Sequence, residues 1–473
     1  MASIQGDQET ATRVDRYLTQ VWRDLRLPGL AMGIVKENQI VYLRGFGKAD
    51  PTGRPVTPQT PFIIGSLSKS FTALAIMQLV EAGKLDLDTP VQHALSWFQL
   101  ADPVASATIT ARHLLSHTSG ISRFAGRELL GRSVNVGMEQ RVRALRHLTP
   151  SRPLGIFQYS NTNYLILGVL IEAASGEAYG DYVRRHIFEP LDMQHSHISE
   201  QDAIADGLAT GYRWMFGMPV PGHTPYLSDA LAAAFLISSA QDMAQYLLAC
   251  LNAGVSGDVL LSPTGFAALY QPQVPLPDKA SSYALGWRVE RLGNLAIFRH
   301  GGEVADFRAE MVLIPEQRLG VVALVNCNNG LVAQGGLDQV VPGVVQLLLG
   351  QRPPAARISF KQFYGLLDLA ALVLFGLQLW SALRLLRPSR FPSSADVLRL
   401  LGDIGAPLIA LWRLPKLADS PWSLLRYYVP DATLWVTAMG LLSLGKAILR
   451  GVRLLRATYS EEKGGHHHHF RLR

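Results

Sequence analysis

Residues 63–74 read IIGSLSKSFTAL, and what this stretch is decides how the rest of the chain is read. At positions i and i+3 of a helix, Ser66 and Lys69 lie on one face within reach of each other. A serine hydroxyl is a weak nucleophile near neutral pH, and a desolvated, neutral lysine amine is one of the few groups able to activate it. The same spacing fits an ordinary amphipathic helix, and FTALAIMQLVEAGKL continues with helical periodicity to a stop at Gly83. Ser-x-x-Lys occurs roughly once by chance in a chain of this size, so alone it does not choose between the two.

Working outward, LAMGIVKENQIVYLRGFGKAD places two β-rich runs around a turn at Glu37 and Asn38, the pattern of a hairpin. From about Thr108 to Tyr270 helical patterns and loops dominate. Strands return as YALGWRVE, NLAIFRH, FRAEMVLIP and RLGVVALVN, followed by a helix through residues 335–349. A sheet drawn from both ends of this segment, with a helical block inserted between them, is an α+β arrangement with its site expected at the junction.

The basic excess of the chain is local. From Ile358 onward there are 15 Lys/Arg against 7 Asp/Glu, leaving 29 and 30 for the larger N-terminal part. That balance sets nucleic-acid binding aside. The two cysteines, Cys250 and Cys327, sit in apolar runs without CxxC or Cys/His spacing and read as buried thiols. HHHH at 466–469 reads as a tag or solvated tail, so neither a metal nor a cofactor is expected. The opening MASIQGDQETATRVDRYL lacks an apolar signal core and leads into an amphipathic helix.

Past GQRPPAAR the composition turns apolar. Gly365–Leu383 and Ala432–Leu449 are long enough to cross a bilayer, and Val397–Trp412, interrupted by Arg399, Asp403 and Pro407, is a weaker third candidate; buried or interfacial helices are the alternative. Arg384, Arg387, Arg390 and Arg399 follow the first span, and Lys446, Arg450, Arg453 and Arg456 close the last. Arg413, Lys416 and Arg426 between the second and third are offset by Asp419 and Asp431. The positive-inside rule then puts the first loop and the C-terminus in the cytoplasm and the N-terminal part outside it.

Two further stretches bear on Ser66. FQYSNTNYLILG sets Tyr159 and Asn161 at a helix start, and IFRHGGEVADF sets His300, Gly301 and Gly302 at the end of a β-run. Ser-x-x-Lys, Tyr-x-Asn and a basic residue followed by glycine, in that order, resemble the penicillin-recognising serine hydrolases: class C β-lactamases, D,D-peptidases, D-aminopeptidases and related esterases. LLSHTSGI at 114–121 and YALGW at 283–287 support the resemblance, which covers about residues 14–350. It implies a β-lactamase-like domain, an antiparallel sheet flanked by helices plus a helical insertion, and an acyl-enzyme mechanism. Ser66 would be the nucleophile, with Lys69 and Tyr159 sharing base and acid roles. His300 would stand for the lysine of Lys-Thr-Gly and bond Tyr159 or a substrate carboxylate. Asn161 would hold the substrate amide, and the N–H groups of Ser66 and Glu303, beside Gly301 and Gly302, would form an oxyanion hole. Ser116 and His117 read as a structural turn, and His-Gly-Gly in place of Lys-Thr-Gly disfavours β-lactams.

The architecture is similar to that of the colibactin-maturation peptidase family, membrane-anchored enzymes that remove an N-acyl-D-asparagine group. The expectation is therefore an extracytoplasmic hydrolase domain at 1–350, a linker at 351–362, three transmembrane helices within 363–456 and a cytoplasmic tail at 457–473, in a bacterial inner membrane. Its partners would be a peptide-like or acylated small-molecule substrate and membrane lipid, a homodimer being admitted. Amide cleavage leads; an esterase, a D,D-peptidase and a penicillin-binding sensor without turnover remain as alternatives.

Overall fold

The structure is a computed structural model that describes residues 2–131, 134–252, 260–330, 336–353, 360–387 and 394–468. Linker residues 354–359, Arg390, the start of the helix expected at 335 and the end of the tail from His469 lie outside the described residues. The chain divides into two compact units, Met1–Phe360 and Lys361–Arg473.

The first unit is built on an antiparallel sheet of eight strands. They are β1 (Gly29–Lys36), β2 (Gln39–Gly47), β3 (Val274–Pro275), β4 (Ser282–Tyr283), β5 (Arg288–Leu292), β6 (Leu295–Val304), β7 (Phe307–Ile314) and β8 (Leu319–Val325). Their order is β2-β1-β8-β7-β6-β5-β4-β3, so the N-terminal hairpin joins the late strands through β1, paired Leu30 to Val325 and Lys36 to Leu319. Glu37 takes a positive φ of 55° to close the hairpin with Lys36 opposite Gln39. β8 is buried along its whole length and β1 at all but its last residue. Apart from Lys36 their sequences are apolar, which suits strands covered on both faces.

Helices α1 (Ala2–Asp24), α2 (Ser68–Glu81), α3 (Asn161–Ser175), α4 (Ala240–Leu251) and α5 (Val340–Leu348) frame this sheet. α4 packs on β1 and β8, while α1 and α5 pack together, α5 against β8. The inserted block is not helical throughout: Tyr212–Met215 and Met218–Pro221 pair as a hairpin, with Phe216 at φ 53° and Gly217 at φ 71° in its turn. Cys327–Asn328 extends that small sheet in parallel. Both cysteines are buried and unpaired.

The second unit contains α6 (Phe360–Leu385), α7 (Ser394–Leu417) and α8 (Pro430–His468), with a short helix Trp422–Tyr428 between the last two. Two stretches, Gln362–Leu385 and Pro430–Arg456, are long and apolar enough to cross a membrane. The third candidate, α7, falls short of that measure. α7 has the length, but Asp396, Arg399, Asp403, Arg413 and Lys416 lower its apolar character and Pro407 and Pro415 lie inside it. α8 continues past its apolar stretch to His468.

Candidate active site

Gly65–Leu67 forms a single 3-10 turn that runs directly into α2, so Ser66 stands one turn before Lys69 at the head of a buried helix. Gly65 makes this possible in two ways. It adopts a φ of 57°, and a Cβ there would fall 2.3 Å from the backbone nitrogen of Glu303. From the other side, a Cβ on Gly302 would fall 2.0 Å from the carbonyl oxygen of Ile64. The Ser66 turn and β6 therefore meet backbone to backbone, and glycine is required at both contacts.

Ser66 Oγ lies 3.0 Å from Lys69 Nζ and 2.9 Å from the hydroxyl of Tyr159. Lys69 Nζ also donates to Asn161 Oδ1 at 2.8 Å and to the carbonyl of Ala233 at 2.6 Å. Lys69 is fully buried, and burial holds its amine well below the usual lysine range. Tyr159 moves the opposite way: burial pushes its phenol up, only partly countered by the bond to Ser66. For both groups burial sets the direction and outweighs neighbouring charge.

β5 pairs with β6 only over Leu295–Arg299, whereas β7 pairs with it through Val304. Residues 300–304 of an otherwise interior strand thus present a free edge beside Ser66. Gly301 is open, with no atom within 4 Å of where a Cβ would stand. The carboxylate of Glu303 lies 3.2 Å from Arg308 Nη1.

Of the two partners expected for His300, Tyr159 or a substrate carboxylate, Tyr159 is not the one its ring bonds. Its Nε2 pairs with the hydroxyl of Tyr283 at 2.9 Å and its Nδ1 with the carbonyl of Gly301 at 2.8 Å. Burial above all pushes its pKa down to about 3. It is a neutral imidazole and not a cationic stand-in for lysine. Ser116 Oγ bonds the carbonyl of Arg112 and the hydroxyl of Thr118, so it forms no dyad with His117. Ser68 and Ser70 bond the carbonyls of Gly65 and Leu67 at 2.8 Å and secure the turn.

Two members of the site escaped sequence reasoning. Tyr283 sits in the YALGW phrase, where only its place opposite His300 reveals a role. Ala233 contributes a carbonyl, and a backbone acceptor leaves no residue-type signal.

The sequence matches the Beta-lactamase family over residues 14–341. It is 30% identical over 338 residues to the unguisins hydrolase ungD' of Aspergillus campestris, covering 68% of this chain and 61% of that protein. It is 26% identical over 333 residues to Protein flp of Staphylococcus aureus, with 68% and 64% covered. The chain spans less than two thirds of the length of these curated relatives. The octameric penicillin-binding protein homologue of Pyrococcus abyssi superposes with a TM-score of 0.65 at 28% identity, over 73% of this chain and 78% of that one. The class C β-lactamase of Rhodobacter sphaeroides shares the fold, with a TM-score of 0.59 at 23% identity over 71% and 99%. With a family match that takes in most of the first unit and a Ser-x-x-Lys pair assembled at its centre, the chain belongs to the β-lactamase family.

Proposed function

We propose that the protein is a membrane-anchored hydrolase that cleaves an amide outside the cytoplasm through an acyl-enzyme on Ser66. The observation that carries this reading is the disposition of Lys69. A neutral amine has two N–H bonds and one lone pair. Asn161 Oδ1 and the Ala233 carbonyl occupy both donors, which leaves the lone pair for the Ser66 hydroxyl. Ser66 Oγ attacks the carbonyl carbon while its proton passes to Lys69. The N–H groups of Ser66 and Glu303 receive the developing oxyanion. Tyr159 steadies Oγ, gives its proton to the leaving nitrogen as the C–N bond breaks, and regains one from Lys69. Water then attacks the ester and releases the acid.

The free edge at residues 300–304, open at Gly301, suits an extended peptide-like substrate. Because His300 is neutral, it offers no permanent charge for the carboxylate of a penicillin. A substrate whose amide carries its polar groups close to the scissile bond, such as an N-acyl-D-aminoacyl amide, is favoured over a β-lactam. α6 and α8 are read as spans and α7 as a third, giving an extracytoplasmic hydrolase unit by the positive-inside rule.

The test is intact-protein mass spectrometry of the detergent-solubilised chain with a penicillin and, separately, an N-acyl-D-asparaginyl amide, beside Ser66→Ala. Release of the acyl-D-asparagine by wild type alone supports the reading. A penicillin adduct that forms on Ser66 and persists would point to a sensor without turnover, and Ser66→Ala behaving as wild type would refute the nucleophile.

A further inference from the structure

His117 is fully buried, has a left-handed φ of 58°, and takes no part in the chemistry above. Its contacts converge on Tyr159. The His117 carbonyl accepts from the N–H of Gln158 at 2.8 Å, and its ring Nδ1 accepts from the N–H of Ser160 at 3.2 Å. Between these two bonds the imidazole lies against the Tyr159 ring, with centroids 4.2 Å apart and a tilt of 38°. One residue thus grips both chain neighbours of the tyrosine and its aromatic face.

The protonation state of His117 is tied to this task. Asn163 Nδ2 meets the same Nδ1 at 3.1 Å, so two N–H groups point at it and that nitrogen carries no proton. The proton of the neutral ring is then on Nε2, which lies buried beside the rings of Tyr164 and Tyr283, at centroid distances of 5.2 and 5.0 Å, with no hydrogen-bond partner among the described residues. Burial keeps the ring neutral. A charged ring would lose its Nδ1 acceptor and release Ser160.

We infer that His117 is a positioning residue for Tyr159: it fixes the tyrosine hydroxyl on Ser66 Oγ and thereby sets the rate of acylation. The inference rests on the acyl-transfer reading of Ser66 and Tyr159.

The experiment uses the full chain in detergent with p-nitrophenyl acetate, whose burst amplitude counts working sites and whose burst rate reports acylation. His117→Asn tolerates the positive φ and can keep an acceptor toward Ser160 but loses the ring; His117→Phe keeps a ring and loses the acceptor. Both are expected to retain the burst amplitude and KM while acylation slows by up to roughly 10²-fold, the effect of a displacement near 1 Å. In a Tyr159→Phe background the same substitutions should add little, since they act through the missing hydroxyl. Unchanged acylation per site, or effects that multiply fully with Tyr159→Phe, would overturn the inference. If either His117 variant gives no burst, Asn163→Asp is read in its place. It preserves size and the bond from Ser119 but draws a proton onto Nδ1, and it should slow acylation in the same way; a folded Asn163→Asp chain with wild-type acylation overturns the inference. Loss of the wild-type burst dependence on Ser66, seen with Ser66→Ala, would instead sink the underlying acyl-enzyme reading.

Discussion

Lys69 and Tyr159 flank one oxygen atom, and burial moves their proton affinities in opposite directions. The amine becomes the easier group to deprotonate and the phenol the harder, which divides base from acid without any carboxylate. Replacing Lys69 by Met should lower the acylation rate by about 10²–10⁴-fold, the range for losing a positioned proton acceptor. The pH dependence has a definite sign. A lysine whose folded-state pKa is depressed is already neutral at pH values where an exposed one is charged, so acylation rises with pH through a limb placed below the usual lysine range. Stopped-flow burst rates across pH measure that limb; its appearance at the position of an exposed lysine would contradict a desolvated base. Ser66, Lys69, Tyr159 and Asn161 were legible because each is a side chain at a fixed spacing from a turn or helix start. His300 was legible only as a position. That it faces Tyr283 and is neutral depends on burial, which a linear sequence does not display.

At the scale of elements, the strands and α2 were readable from periodicity, while the errors fell where tertiary contacts override local pattern. The run that ends in His300, Gly301 and Gly302 was legible as a strand, but not that β6 is interior over Leu295–Arg299 and open only beyond, because β5 ends first. α7 was the weaker candidate span because charged residues interrupt it, and its acidic residues are answered from a different helix: Asp403 lies 2.8 Å from Lys446 Nζ and 2.9 Å from Arg450 Nε, and Arg450 Nη1 lies 3.3 Å from Asp396. Asp403, Lys446 and Arg450 are all buried between α7 and α8. Removing one member leaves buried charge without its counter-charge, at about 3–5 kcal/mol. Asp403→Leu should therefore loosen the helical unit, seen as faster proteolysis and a lower unfolding temperature in detergent. Adding Lys446→Leu and Arg450→Leu should restore much of the loss. If Asp403→Leu alone is as resistant as wild type, packing rather than charge joins these two helices.

At the scale of the whole hydrolase unit, the site is a cost carried by the fold. His117, His300 and Lys69 are all buried and held neutral, with folded-state pKa values below their ordinary ones. The folded unit consequently binds fewer protons than the unfolded chain in the acid range, and unfolding becomes easier as pH falls. For His300 the contribution is fully present above its ordinary value of 6.5 and is lost as pH falls toward about 3. Each such histidine adds up to about 1.4 kcal/mol per pH unit to the slope of unfolding free energy inside its window. His300→Gln keeps a side chain able to bond Tyr283 but removes the titration. In urea unfolding of residues 1–360 between pH 6 and 4, the variant should show a slope shallower than wild type by nearly that amount, with the two proteins converging in acid sensitivity only below the window. Parallel slopes would mean that His300 titrates normally in the folded unit, and the neutral imidazole on which the argument against penicillin carboxylates depends would have to be given up.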